Sequence, residues 1–318
     1  MEAGFIKNKF TRYKEPKLNP NKKTNPVALK NLLIPVNSPY KRNLEHYTSI
    51  IISQEALKNL YKSTKAMINI LTMRFFDKLY YFKILQEKMT DKLATLSHEE
   101  DVSIITLDDG KANVFSLAMS QAVNDCLDEV PTEKGSLIIT GRPGMFSAGF
   151  DLKVIAAGDL TATREMSLGG FRLLSRILSF PRPVLAACSG HGIALGTFLL
   201  CCCDYRMGAK GEFLVGANEM RTNMVIPIPI LELIKFRVSQ SHKYRAVLGA
   251  EMYPIESAIE AGLMDEVVEP DALMEAAIIK AKDLATLGHP SYTLTKELYI
   301  GETAKKINDA LDEFDPDA

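Results

Sequence analysis

No run of 18 apolar residues occurs in the 318-residue chain, so the sequence predicts no membrane-spanning helix. It contains no GxxxxGK[ST] motif and no GxGxxG after a strand-like run. Nucleotide hydrolysis and dinucleotide redox chemistry therefore have no support. Metal catalysis has none either, because no His/Cys/Asp/Glu cluster has ligand spacing. Cysteine is scarce: Cys126, Cys188 and the adjacent Cys201, Cys202 and Cys203. Three neighbouring cysteines cannot form a sensible disulfide frame, and no CxxC with partner histidines exists. The five read as buried free thiols of a reducing compartment, which predicts a cytoplasmic protein.

The net charge is only -1, but it conceals an imbalance. The first 90 residues hold 17 Lys+Arg against 6 Asp+Glu, a balance of +11. The remainder holds 21 against 33, a balance of -12. Residues 1–45, rich in Lys, Asn and Pro, read as disordered. Residues 46–90 mix apolar and basic residues with partly helical spacing. They read as an extension ahead of the main domain, with Met89 as an alternative start. A basic arm for RNA, membrane or organelle import is the competing reading. The expected division is thus a basic, largely disordered or helical extension over 1–90 and a catalytic domain over 91–318.

From Lys92 the pattern changes. Leu93 to His98 and Val102 to Leu107 read as a hairpin turning at Glu99 to Asp101. Asp108 to Asn113 reads as a turn. Ser116 to Val130 predicts a helix with Ser116 as its cap. Ser136 to Thr140 is an apolar strand, and Met145 to Lys153 reads as a small-residue loop entering a helix. Glu165 to Phe180 predicts another helix, and Val184 to Cys188 another buried strand. This order argues for an α/β domain with crossover connections. After Pro227 the chain reads as mostly helical, with one strand at Glu266 to Val268.

The chain is organised around Pro183 to Pro227. There a buried strand breaks at Ser189-Gly190 and enters the apolar segment Thr197 to Cys203 past Gly192 and Gly196. A helix start after such a turn presents bare N–H groups where negative charge can develop. Glu219, about fifteen residues further on, is an isolated carboxylate in an apolar surround. Donors plus one such acid suit proton transfer next to a carbonyl. Ser147 to Lys153 is a second strand-to-helix loop, and the two helix starts could face one ligand.

Together SAGFDLK, PVLAACSGHGIALGTF, CDYRMGA and NEMRTNMVIP resemble the crotonase superfamily, the enoyl-CoA hydratases, isomerases and relatives, over about Leu93 to Leu287. The resemblance implies a spiral of ββα units with a helical C-terminal region, assembled as a homotrimer or hexamer. It implies an acyl-CoA thioester as substrate, with coenzyme A part of that substrate and no separate cofactor. The thioester oxygen would lie in an oxyanion hole made by the amides of Phe150 and Leu195. Lys111, Ala148, Asp151, Lys153 and Phe198 match substrate-binding positions. Asp204 matches a structural position, and Asp151 can also cap its helix. His191 reads as structural, and Glu212 as part of a hairpin turn. Beyond Leu298 the chain is shorter than the C-terminal region that covers the site in many relatives.

Family hydratases use two glutamates. The first position is Phe198 here, which can neither hold nor deprotonate water, and the second matches Glu219. A single glutamate resembles the enoyl-CoA isomerases, in which one base moves a proton between two carbons. A hydratase working without the first Glu, a non-catalytic CoA-ester-binding scaffold, and a core that merely carries the basic arm are the alternatives.

Overall fold

The computed structural model describes residues 93–314. The basic extension over 1–90 lies outside the described residues.

Strands β1 (Ala94–Glu99) and β2 (Val102–Leu107) form the expected antiparallel hairpin. Strand β3 (Val114–Phe115) leads into helix α1 (Leu117–Glu129), whose cap Ser116 accepts a hydrogen bond from the Met119 N–H at 3.2 Å. Then follow β4 (Ser136–Thr140), β5 (Gly144–Ser147), β6 (Gly149–Phe150), α2 (Leu152–Ala156) and α3 (Leu160–Leu178). The central stretch contains β7 (Val184–Cys188), β8 (Gly190–Ile193) and α4 (Leu195–Cys202). It continues through β9 (Tyr205–Ala209), β10 (Leu214–Gly216) and a short 3-10 turn at Glu219–Thr222. The last part is α5 (Ile228–Arg237), α6 (Lys243–Val247), β11 (Tyr253–Pro254), β12 (Glu266–Val268), α7 (Leu273–Ala285) and α8 (His289–Phe314).

The strands form a six-stranded sheet in the order β1-β2-β4-β7-β9-β12 and a four-stranded sheet in the order β11-β10-β8-β5. Strands β3 and β6 pair separately. Three times the chain leaves a strand of the large sheet for a strand of the smaller one and then turns into a helix. Those strand pairs are β4 and β5, β7 and β8, and β9 and β10. This is the repeated ββα unit.

Both faces of the large sheet are covered at its centre, so β4 and β7 are buried at every position rather than alternately. In β4, Leu137 and Ile139 face the main core while Ile138 faces α7. In β7, Val184, Ala186 and Cys188 face that core while Leu185 and Ala187 meet the α7 side, with Ala277 and Ala281.

Four local expectations need correction. Gly190 to Ile193 is not a turn but strand β8, because the glycines let it lie against β5. A Cβ on Gly190 would lie 1.9 Å from the Gly144 carbonyl carbon. The loop Met145 to Lys153 contains β5 and β6 before its helix. Glu212 is not in a hairpin turn, since β9 and β10 belong to different sheets. Helix α3 begins at Leu160, not Glu165, because Asp159 caps it by accepting from the Thr161 and Ala162 N–H groups at 3.0 Å.

Candidate active site

Strands β5, β8 and β10 run parallel, and their C-terminal ends are level. Ser147 and Val215 both pair with Gly192, and Gly216 pairs with Ile193. Each strand therefore delivers its following residues to one edge: Gly149 and Phe150, Ala194 and Leu195, and the turn that carries Glu219. Ligands in α/β sheets favour this edge.

The first contribution is shaped by a buried polar knot. Asn113 is fully buried with a left-handed φ of 49°. Its Nδ2 donates to the carbonyls of Leu107, Met145 and Phe146 at 3.0 to 3.2 Å. The Ser147 hydroxyl donates to the Asn113 carbonyl at 2.7 Å and accepts from the Gly149 N–H at 3.1 Å. Gly149 has φ 93°, which excludes most side chains. A Cβ there would lie 2.8 Å from the Ala194 Cβ and 3.2 Å from the Leu195 nitrogen. The two loops are thus in direct contact.

Phe115 pairs with Phe150, and the Asp151 N–H donates to the Phe115 carbonyl at 3.4 Å. In a parallel ladder, alternate residues direct their polar groups to opposite sides. The Phe150 N–H is therefore turned away from β3. The Phe150 ring rests on helix α3, edge-on to Phe171 at 5.6 Å, in space left by Gly170.

The second contribution is the start of α4. Leu195 is its first residue, so its N–H has no intrahelical acceptor. Ala194 supplies no side-chain cap and holds φ 52°, ψ −119°, a costly conformation for a residue with a Cβ. All eight residues of α4 are buried. Gly196 permits this, since a Cβ there would lie 2.4 Å from the Ser147 carbonyl oxygen.

The third contribution is Glu219, which is 8 % exposed. Its main chain is tied down: the Met224 N–H and Thr222 hydroxyl donate to its carbonyl at 2.9 and 3.1 Å. Arg221 Nε donates to the Ala250 carbonyl at 2.8 Å. One carboxyl oxygen is left bare, for the buried Oε2 has no hydrogen-bond partner among the described residues. Burial pushes its pKa above the usual carboxylate range, opposed in part by its own backbone N–H. Nearby, Val215 is fully buried while Met220, next to the acid in sequence, is 39 % exposed.

The remaining candidates divide clearly. Lys111 and Lys153 are exposed; Arg142 donates to the Lys111 carbonyl at 3.1 Å. The Ala148 N–H is used by the Ala112 carbonyl at 2.9 Å. Asp151 caps α2, accepting from the Lys153 N–H at 2.9 Å. Phe198 is buried in the core. His191 Nδ1 accepts from the Leu214 N–H at 3.1 Å, and its ring meets Phe213 edge-on at 5.4 Å. Asp204 Oδ2 accepts from the Val184 N–H, the Tyr292 hydroxyl and Lys296 Nζ at 2.9, 3.0 and 2.7 Å. A carboxylate so occupied is a structural hub. Among the described residues, no three His, Cys, Asp or Glu side chains converge on a point that could hold a metal.

Sequence reasoning missed Asn113, Ser147 and Thr197, whose side chains knit this edge together. Thr197 left one trace, as a hydroxyl in a helix otherwise made of Leu, Phe, Gly and Cys.

Residues 97–312 match the sequence model of the family described as Enoyl-CoA hydratase/isomerase. The chain is 26% identical over 214 residues to a putative enoyl-CoA hydratase of Thermus thermophilus, across 65% of this chain and 84% of that one. It is 26% identical over 211 residues to the mitochondrial enoyl-CoA delta isomerase 1 of Mus musculus, across 65% and 73%. Its fold superposes on a probable enoyl-CoA hydratase from Mycobacterium tuberculosis with a TM-score of 0.66 and 35% identity, covering 69% of this chain and 93% of that one. An enoyl-CoA hydratase/isomerase family protein from Pseudomonas syringae gives 0.67 and 33%, covering 70% and 96%. With its repeated ββα units and this match over most of the described residues, the chain belongs to the enoyl-CoA hydratase/isomerase family.

Proposed function

We propose that the protein is an enoyl-CoA isomerase that uses Glu219 as its single acid/base. The observation that carries this reading is the buried Glu219 carboxyl, without a partner on Oε2, at the edge shared by the Phe150 and Leu195 amides. Preorganised amides stabilise an oxyanion without reorganising as charge develops, and one such donor is worth about 10²–10³ in rate. In this reading the thioester oxygen of a 3-enoyl-CoA accepts from both amides. Glu219 takes a proton from C2, and the electron pair spreads toward the thioester oxygen. The same carboxyl returns the proton at C4, leaving the 2-enoyl-CoA. Nothing is consumed, and no cofactor beyond the CoA of the substrate is called for.

A raised pKa suits both halves of this cycle, making the carboxylate a stronger base and the acid a ready donor. Phe198 supports isomerisation over hydration. Hydration needs a water held by a second polar group, and α4 offers only an apolar ring at that position. The family's trimeric or hexameric assembly is part of the proposal and is read by light scattering.

The test is product analysis on 2- and 3-enoyl-CoA in heavy water. Internal return of the substrate hydrogen supports the isomerase. A 3-hydroxy product means that water is added, and the hydratase reading replaces this one. Binding of enoyl-CoA without turnover leaves the non-catalytic scaffold.

A further inference from the structure

Thr197 lies in the first turn of α4 and is 2 % exposed. Its Oγ1 donates to the Gly192 carbonyl at 2.6 Å and accepts from the Gly216 N–H at 2.8 Å. A hydroxyl can do both at once, since it carries one donor and two lone pairs. The Gly216 carbonyl in turn accepts from the Ala194 N–H at 3.0 Å. Gly216 is therefore gripped on both sides by the start of α4. It lies at the end of β10, three residues before Glu219, while Ala194 immediately precedes Leu195.

We infer that the Thr197 hydroxyl is a positioning residue, which sets the distance between the Leu195 amide and the Glu219 carboxyl. The ladder between β8 and β10 ends at Ile193 and Gly216. Beyond that point the two segments diverge, one into α4 and the other into the turn of Glu219. The hydroxyl braces the last rung before they part, joining the Gly192 carbonyl and the Gly216 N–H to the first turn of α4. Without it, that rung keeps its backbone pairing and the Ala194 bond but loses the side-chain brace that ties it to α4. The inference rests on the reading of Glu219 as the base.

The experiment compares Thr197→Val, Thr197→Ala and Thr197→Ser in the full chain. Valine keeps the branched shape and deletes the hydroxyl, alanine deletes it without the branch, and serine retains it. Two readouts are taken together: amide hydrogen exchange of the segment containing Gly216, and steady-state kinetics with a 3-enoyl-CoA substrate. In the valine and alanine variants, exchange at Gly216 rises about 10-fold, as expected for one lost hydrogen bond. Their kcat falls about 10- to 100-fold, the scale of a misplaced catalytic group, while KM stays within about threefold. Serine restores both.

A folded valine variant with wild-type protection at Gly216 and wild-type kcat overturns the inference. So does an equal loss in all three variants. If valine and alanine fail to fold while serine folds, the hydroxyl serves folding only and the positioning role is refuted. Wild-type turnover in Glu219→Gln would instead sink the base assignment. The exchange data would still report on the clamp.

Discussion

Replacing Glu219 by glutamine removes the charge and keeps the shape, so it separates chemistry from packing. Proton transfer by a positioned group contributes about 10²–10⁴ in rate. At about 1.36 kcal/mol per tenfold, the loss is about 2.7–5.4 kcal/mol of transition-state stabilisation. The structure also sets the sign of a second effect. Burial raises the folded-state pKa of Glu219, so the folded protein holds this proton more tightly than the unfolded chain does. The stability it contributes is fully present below its ordinary value of 4.5 and is lost as pH rises through the raised folded value. Glutamine stays neutral throughout. The variant should therefore gain stability relative to wild type between acidic pH and pH 8, while its turnover collapses. Urea midpoints at a series of pH values, with isomerase rates on the same samples, test both. Wild-type turnover refutes the base assignment, and a stability gap independent of pH refutes the uncompensated buried acid.

Under the proposed mechanism, in which ionised Glu219 is the base, the wild-type kcat should itself rise with pH through the raised pKa of Glu219. Gly149→Ala places a Cβ 2.8 Å from that of Ala194 at a φ of 93°. It should cost about 1–3 kcal/mol of stability and, by shifting the Phe150 amide, about 10²–10³ in kcat; denaturation and steady-state kinetics check each. Asp204→Ala strips Lys296, only 6 % exposed at its side chain, of its carboxylate partner. A loss of about 3 kcal/mol is expected, or roughly 6–12 °C in Tm by calorimetry. Burial pushes the Cys188 and Cys203 thiols up to about 12 and Cys201 to about 11, and raises Cys202 and Cys126 as well. A thiol reagent at pH 8 should leave the folded protein unmodified and label all five cysteines after unfolding, as counted by mass.

The apolar runs of β4 and β7, the Ser116 cap and the spacing of Gly190 and Gly196 are legible in the sequence. These are local signals: continuous apolar runs, side-chain capping and glycine spacing. The starts of β8 and α3 escape the sequence for equally local reasons. A glycine-rich strand looks like a turn until its neighbour is known, and Asp159 caps a helix whose first turn lacks a strong apolar period. The separation of β9 from β10 carries no local mark, because a chain changing sheets uses the same turn residues as a hairpin.

By itself the sequence determined the alternation of strands and helices, the lone glutamate at 219 and the phenylalanine at 198, because residue identity and short-range periodicity require no partner; the second strand of each ββα unit emerged only in the structure. Only the tertiary structure decided that β5, β8 and β10 end level, that Gly149 touches the start of α4, and that the Glu219 carboxyl is buried with one oxygen bare. Those facts depend on registers between segments tens of residues apart. Side chains such as Asn113 and Thr197 bond to backbone groups of those segments, contacts that spacing along the chain does not reveal.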